Sequence, residues 1–198
     1  MDQVKPIVYA FIDSQNLNVG VQRAGWKMDW AKFRRWLADK YGVTKAYMFI
    51  GYIPEFESIY EQLHEAGYAV VLKPTYDMTR PRPEEPAPKE DTKTGEPEEK
   101  KPVKGNIDAE LVLWAMKEFN NYDKAIVVSG DGDFYCLVEY LDEQGKLLKL
   151  LTPSFRYSSI FNRYDSYIER LDQHRQELAY RSFRKRPGKD KSPDTKNN

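Results

Sequence analysis

The residues best placed to do chemistry are Asp131 and Asp133, at the end of the stretch AIVVSGDGDF. Residues 125–128 form a short apolar run with β-branched side chains at its centre, the signature of a strand buried on both faces of a parallel sheet. The run breaks into Ser129-Gly130-Asp131-Gly132-Asp133, so two carboxylates stand where the chain leaves the sheet. The glycines there read as residues that let the backbone turn sharply. Asp and Gly are also ordinary turn formers, and Asp133 suits a helix N-terminus. A second strand decides between these readings. Residues 7–12 (IVYAFI) form another buried run and end in Asp13-Ser14-Gln15-Asn16. Open α/β sheets bind ligands at the carboxyl ends of their strands.

The remaining elements must bring these ends together. Asp29 caps a helix whose Trp30, Phe33, Trp36 and Leu37 recur at helical spacing until Gly42 stops it. A strand over residues 43–52, a helix over 54–66 and a strand through YAVVLKP follow. Residues 79–101 are rich in proline and charge, with no aliphatic or aromatic side chain beyond Ala87. They offer nothing to a core and are expected to form a disordered insertion. A helix over 109–119 comes next. Asp108 sits in or just before its first turn, where it favours the helix dipole and can face the same end of the sheet. Gly145 closes the helix after Asp133, and residues 146–152 form a fifth strand. Tyr167, Ile168 and Leu171 add an edge strand or a last helix. The pattern predicts an α/β fold with helices on both faces of a central, mostly parallel sheet of five or six strands.

At 198 residues with 40% apolar and 14% aromatic content, the chain is long enough for one full core. Residues 1–172 are expected to form one domain and 173–198 a basic, largely disordered tail. From Arg175 onward that tail carries eight basic against three acidic residues, with Tyr180 and Phe183 among the first arginines, a composition suited to nucleic-acid contact. The whole chain has 31 basic and 31 acidic residues, so bulk charge names no partner. Cys136 is the sole cysteine. No intrachain disulfide is possible, a reducing compartment is expected, and Cys136 reads as a small core residue on the apolar face of its helix. Neither a signal peptide nor a membrane-length apolar run is visible. A cytoplasmic protein without membrane contact is expected.

Several functions fail residue by residue. A dinucleotide fingerprint from Gly130 needs Gly at Tyr135. An EF-hand from Asp131 needs Gly at Cys136 and Glu at Asp142. No phosphate-binding GxxxxGK[ST] occurs. An aspartyl-nucleophile phosphatase wants Asp at Gln15, and neither His64 nor His174 has the setting of a serine hydrolase. What remains is Asp13, Asp108, Asp131 and Asp133 converging on one end of a sheet. Hard oxygen donors of this kind suit Mg2+ or Mn2+, and unpaired carboxylates that close require a cation between them. Such an ion can activate water and stabilise charge on a phosphodiester.

FIDSQNLN, KGNIDAEL and VVSGDGDF resemble, in order, the three motifs of the NYN domain family, LabA-like branch, of the PIN-like nuclease superfamily. The resemblance covers roughly residues 5–170. It implies a PIN-like three-layer fold and a metal-dependent endoribonuclease of single-stranded RNA. Asp13, Asp108, Asp131 and Asp133 would hold the metal or orient its waters, with Asn16 and Ser129 in support. Lys104 would contact a phosphate, and Arg181, Arg184, Lys185 and Arg186 in the tail would contact RNA. A homodimer is compatible with it. Two alternatives stay open at this point: a non-catalytic RNA-binding or regulatory module, and a metal-dependent phosphatase or nucleotide hydrolase.

Overall fold

A computed structural model describes residues 5–74 and 107–180. The expected insertion at 79–101 and the tail from 181 onward lie outside these residues. Six parallel strands make one sheet: β1 (Val8–Asp13), β2 (Val43–Tyr52), β3 (Ala69–Pro74), β4 (Lys124–Val128), β5 (Leu147–Thr152) and β6 (Ile168–Arg170). Their order is β3-β2-β1-β4-β5-β6. The first three strands step outward from β1, and the chain then returns to lay β4 against the other side of β1. Between β1 and β4 the direction of winding reverses, which opens a crevice at their carboxyl ends. Register sets the level of that crevice. Ile12 lies beside Val128, so Asp13, the last residue of β1, and Ser129, the first residue after β4, stand at the same height.

Each strand alternates its side chains between two cores. Ala10, Ile12, Ile126 and Val128 face α1 (Ser14–Arg23) and α2 (Trp30–Tyr41), whose Leu17, Val21, Phe33 and Leu37 are fully buried. Leu63 of α3 (Glu57–Glu65) joins this layer. Phe11, Tyr47, Phe49 and Val127 face α4 (Asp108–Lys117) and α5 (Tyr135–Glu143), through Leu111, Ala115, Leu137, Val138 and Leu141. Both faces are covered, which explains why the strands read as nearly continuous apolar runs. The Asp29 cap forms as expected, accepting from the Lys32 N–H at 3.1 Å, and Gly42 ends α2 at φ +69°. No helix among the described residues is long and apolar enough to cross a membrane.

Three expectations need correction. Cys136 is exposed, because α5 turns Leu137, Val138 and Leu141 toward the sheet and position 136 falls on the opposite face. Asp133 does not cap α5. A 3-10 turn, Gly132–Phe134, precedes that helix, and Asp131 caps the turn by accepting from the Asp133 N–H at 3.1 Å. The packed chain also continues past residue 172. The strand β6 is followed by α6 (Arg175–Leu178), and Leu178 is 0% exposed in the core beside α2. Its carbonyl accepts from the Asp29 N–H at 2.9 Å, and Ala179 pairs with Met28. Leu178 is an apolar residue in an otherwise polar run, so composition hid it.

Candidate functional site

Asp13 is the centre of the site. It is the last residue of β1 and only 4% exposed. One carboxylate oxygen, Oδ1, accepts from the Asn16 N–H at 3.0 Å, which makes Asp13 the N-cap of α1. The other, Oδ2, accepts from the Ser129 hydroxyl at 3.1 Å. That hydroxyl also accepts from the Asp131 N–H at 3.1 Å. From the other side, the Asn16 Oδ1 accepts from the Gly130 N–H at 2.9 Å. Asn16 and Ser129 thus tie the loop after β4 to the start of α1 by two separate bonds.

Burial pushes the Asp13 carboxyl above its ordinary value. The hydrogen bonds from Asn16 and Ser129 oppose that rise, and the charges of Asp108 and Asp131 add to it. The charged neighbours acting on Asp13 therefore have its own sign. A carboxylate serving only as a helix cap has no need of such company. Asp108 is the first residue of α4. That end of α4 is held to the sheet by an ion pair, 2.8 Å, between Glu110 and Lys73 near the end of β3. Sequence reasoning passed over Lys73, which is one polar residue at the end of an apolar strand.

Asp133 is not among the charges that act on Asp13. Its side chain is exposed and shares with Asp108 the rim of a shallow groove along α4, floored by Val112, Leu113 and Met116. Among the described residues, no three acidic, histidine or cysteine side chains close on one point as a finished metal cage. The hard oxygens of Asp13, Asp108 and Asp131 are nevertheless the donor type for Mg2+ or Mn2+. Mg2+ commonly takes one or two carboxylates and keeps its waters. Lys104, Arg181, Arg184, Lys185 and Arg186 lie outside the described residues.

The glycines of the β4 loop have a different purpose from the one expected. Neither Gly130 nor Gly132 has a positive φ. They are small because the chain after β5 lies against them. A Cβ on Gly132 would come within 2.6 Å of the Ser158 Oγ, and one on Gly130 within 3.2 Å of the Tyr157 Cβ. The Ser158 N–H donates to the Gly130 carbonyl at 2.9 Å. A third loop, carried by β5, is thus clamped onto the acidic one.

The family model for the NYN domain matches residues 8–172. This chain belongs to the NYN domain family. That family is part of the PIN-like nuclease superfamily, and the NYN domain spans all six strands and the acidic crevice. None of the curated proteins compared with it matches. A crystal structure of a protein of unknown function from Vibrio parahaemolyticus RIMD 2210633 is similar in fold. Its TM-score is 0.67 at 21% identity, covering 90% of this chain and 99% of that one.

Proposed function

We propose that this NYN domain is a Mg2+- or Mn2+-dependent endoribonuclease that cuts single-stranded RNA, with the LabA-like motifs as its catalytic framework. One observation carries the proposal: Asp13 is buried at the winding-reversal crevice, and the charges acting on it are those of Asp108 and Asp131. Like charges held together in a poorly hydrated place cost stability unless a cation joins them. Asp13, Asp108 and Asp131 would hold the ion, directly or through its waters, and Asp133 would act from the rim. The ion would supply activation of water and charge stabilisation at the scissile phosphate.

The protein's own part is positioning. Ser129 fixes the Asp13 carboxylate and the Asp131 main chain together, so the two carboxylates keep one spacing. Asn16 holds Gly130 and keeps the acidic loop on α1. Pinning by such bonds is what keeps a site within the tolerance that catalysis needs. A cytoplasmic setting and a homodimer remain part of this reading.

The second reading is an RNA-binding module with weak metal affinity. Incubation of pure protein with labelled single-stranded RNA separates the two. The nuclease reading requires cleavage with Mn2+, none with chelator, and none by Asp13→Asn or Asp131→Asn. Retention of RNA without cleavage by wild type would select the binding module.

A further inference from the structure

Beside the acidic crevice, a cavity of about 290 Å3 is lined by Arg23, Trp26, Phe155, Arg156, Asp172 and Arg175. The charge in it is positive. Asp172 is already neutralised by Arg170, through bonds of 3.1 and 2.7 Å. Arg175 donates to the Gly25 carbonyl at 2.9 Å, an uncharged partner, and its place at the end of α1 suits the helix dipole. Arg23 and Arg156 have no carboxylate partner among the described residues. Neither fold nor capping accounts for gathering them.

A further observation points to a ligand. Phe155 is 62% exposed, with the Arg156 and Arg170 guanidinium groups 5.4 and 5.5 Å from its ring centre. An exposed aromatic ring flanked by arginines is the combination on which unpaired bases stack.

The cavity is joined mechanically to the acidic site. Phe155 and Arg156 line it, while the next two residues, Tyr157 and Ser158, pack on Gly130 and Gly132. At the other wall, α1 begins at the Asp13 cap and ends at Arg23. A helix rise of about 1.5 Å per residue puts Arg23 about 10 Å along the axis from Asn16. Gly20 seals the join, since a Cβ there would meet the Pro153 Cβ at 2.4 Å.

We infer that this cavity is a subsite for the RNA strand running out of the acidic crevice. Arg23 and Arg156 hold a backbone phosphate, and Phe155 stacks one unpaired base. The inference rests on the RNA-directed reading of the site and goes further in naming the residues that select a single strand.

Binding of a fluorescein-labelled oligouridylate, measured by anisotropy in chelator across a salt series, tests it without any cleavage. The variants are Arg23→Ala, Arg156→Ala, Phe155→Ala and, as a control at the other site, Asp131→Asn. All four substitutions are at residues exposed or half-exposed, and thermal melts check that each folds. Each arginine variant is expected to bind several-fold more weakly and to lower the slope of log affinity against log salt by about 0.7. Phe155→Ala is expected to weaken the oligouridylate about fivefold or more, with the salt slope unchanged. It should leave a blunt RNA duplex nearly unaffected. Equal affinities and slopes across wild type and the three cavity variants would overturn the inference. So would uridine monophosphate binding as tightly as the oligonucleotide, which would make the cavity a free-nucleotide site. If the cavity variants weaken binding but wild type never cuts RNA under any metal, the subsite stands and the nuclease reading falls.

Discussion

The Ser129 hydroxyl donates to the Asp13 carboxylate at 3.1 Å, across 116 residues of sequence. The same oxygen accepts from the Asp131 N–H, so one fully buried hydroxyl joins two of the acidic residues. Ser129→Ala removes a donor from Asp13 and leaves a main-chain N–H unpaired. A loss of about 1–3 kcal/mol is expected. In an Asp13→Asn background the further cost of Ser129→Ala should shrink, because coupled partners are not additive. Denaturant melts of the two single variants and the double variant check this. Strict additivity would mean that the bond does not couple them.

Asp13 sets a pH dependence. Its folded value lies above the ordinary 3.8. As pH rises through that interval, the unfolded chain has released the proton while the folded chain still holds it. Stability therefore falls across the interval and stays lower above it. Asp13→Asn should then melt at the same or a higher temperature than wild type at pH 7 in chelator, with the advantage vanishing below pH 3.8. Melting curves at the two pH values test the sign. A variant that is clearly less stable at pH 7 would show that the cap outweighs the buried charge.

Metal addition should reverse the order of stability. Wild type should gain about 2.7 kcal/mol from Mn2+ at a hundred times its dissociation constant. Asp131→Asn should gain clearly less and lose RNA cleavage, while in chelator it melts no lower than wild type. Its cap is preserved, since the Asn Oδ1 can still accept from the Asp133 N–H. A shift in neither protein would remove the metal from the account.

The clamp between the loops after β4 and β5 predicts a mutation with a specific rescue. Gly132→Ala places a methyl group 2.6 Å from the Ser158 Oγ and 3.1 Å from its Cβ. Overpacking of this sort costs about 1–3 kcal/mol, and it should also reduce RNA cleavage by shifting Asp131. Ser158→Gly in the same chain should restore much of both. Failure of the rescue, with the single variant impaired, would put the strain at Ile160, whose Cγ2 lies 3.3 Å from the same position.

The sequence by itself determined the elements and the acidic residues. Short apolar runs marked β1 and β4, helical spacing marked α2, and Asp29 and Gly42 bounded it, because such signals are decided within a few residues of chain. Asp13 and Asp131 were legible for the same reason: each follows a strand that had to be buried. Tertiary structure decided what those residues meet. Only the placement of β4 beside β1 sets Ser129 against Asp13, and no local pattern encodes a partner 116 residues away. Asp133 reads like Asp131 in sequence, yet a single 3-10 turn sends it to the rim while Asp131 stays with Asp13. Gly130 and Gly132 read as turn residues, but the loop after β5 is what requires them small. The arginines lining the cavity come from α1, α6 and that same loop, so their gathering exists only once the sheet order has brought three distant segments to one corner.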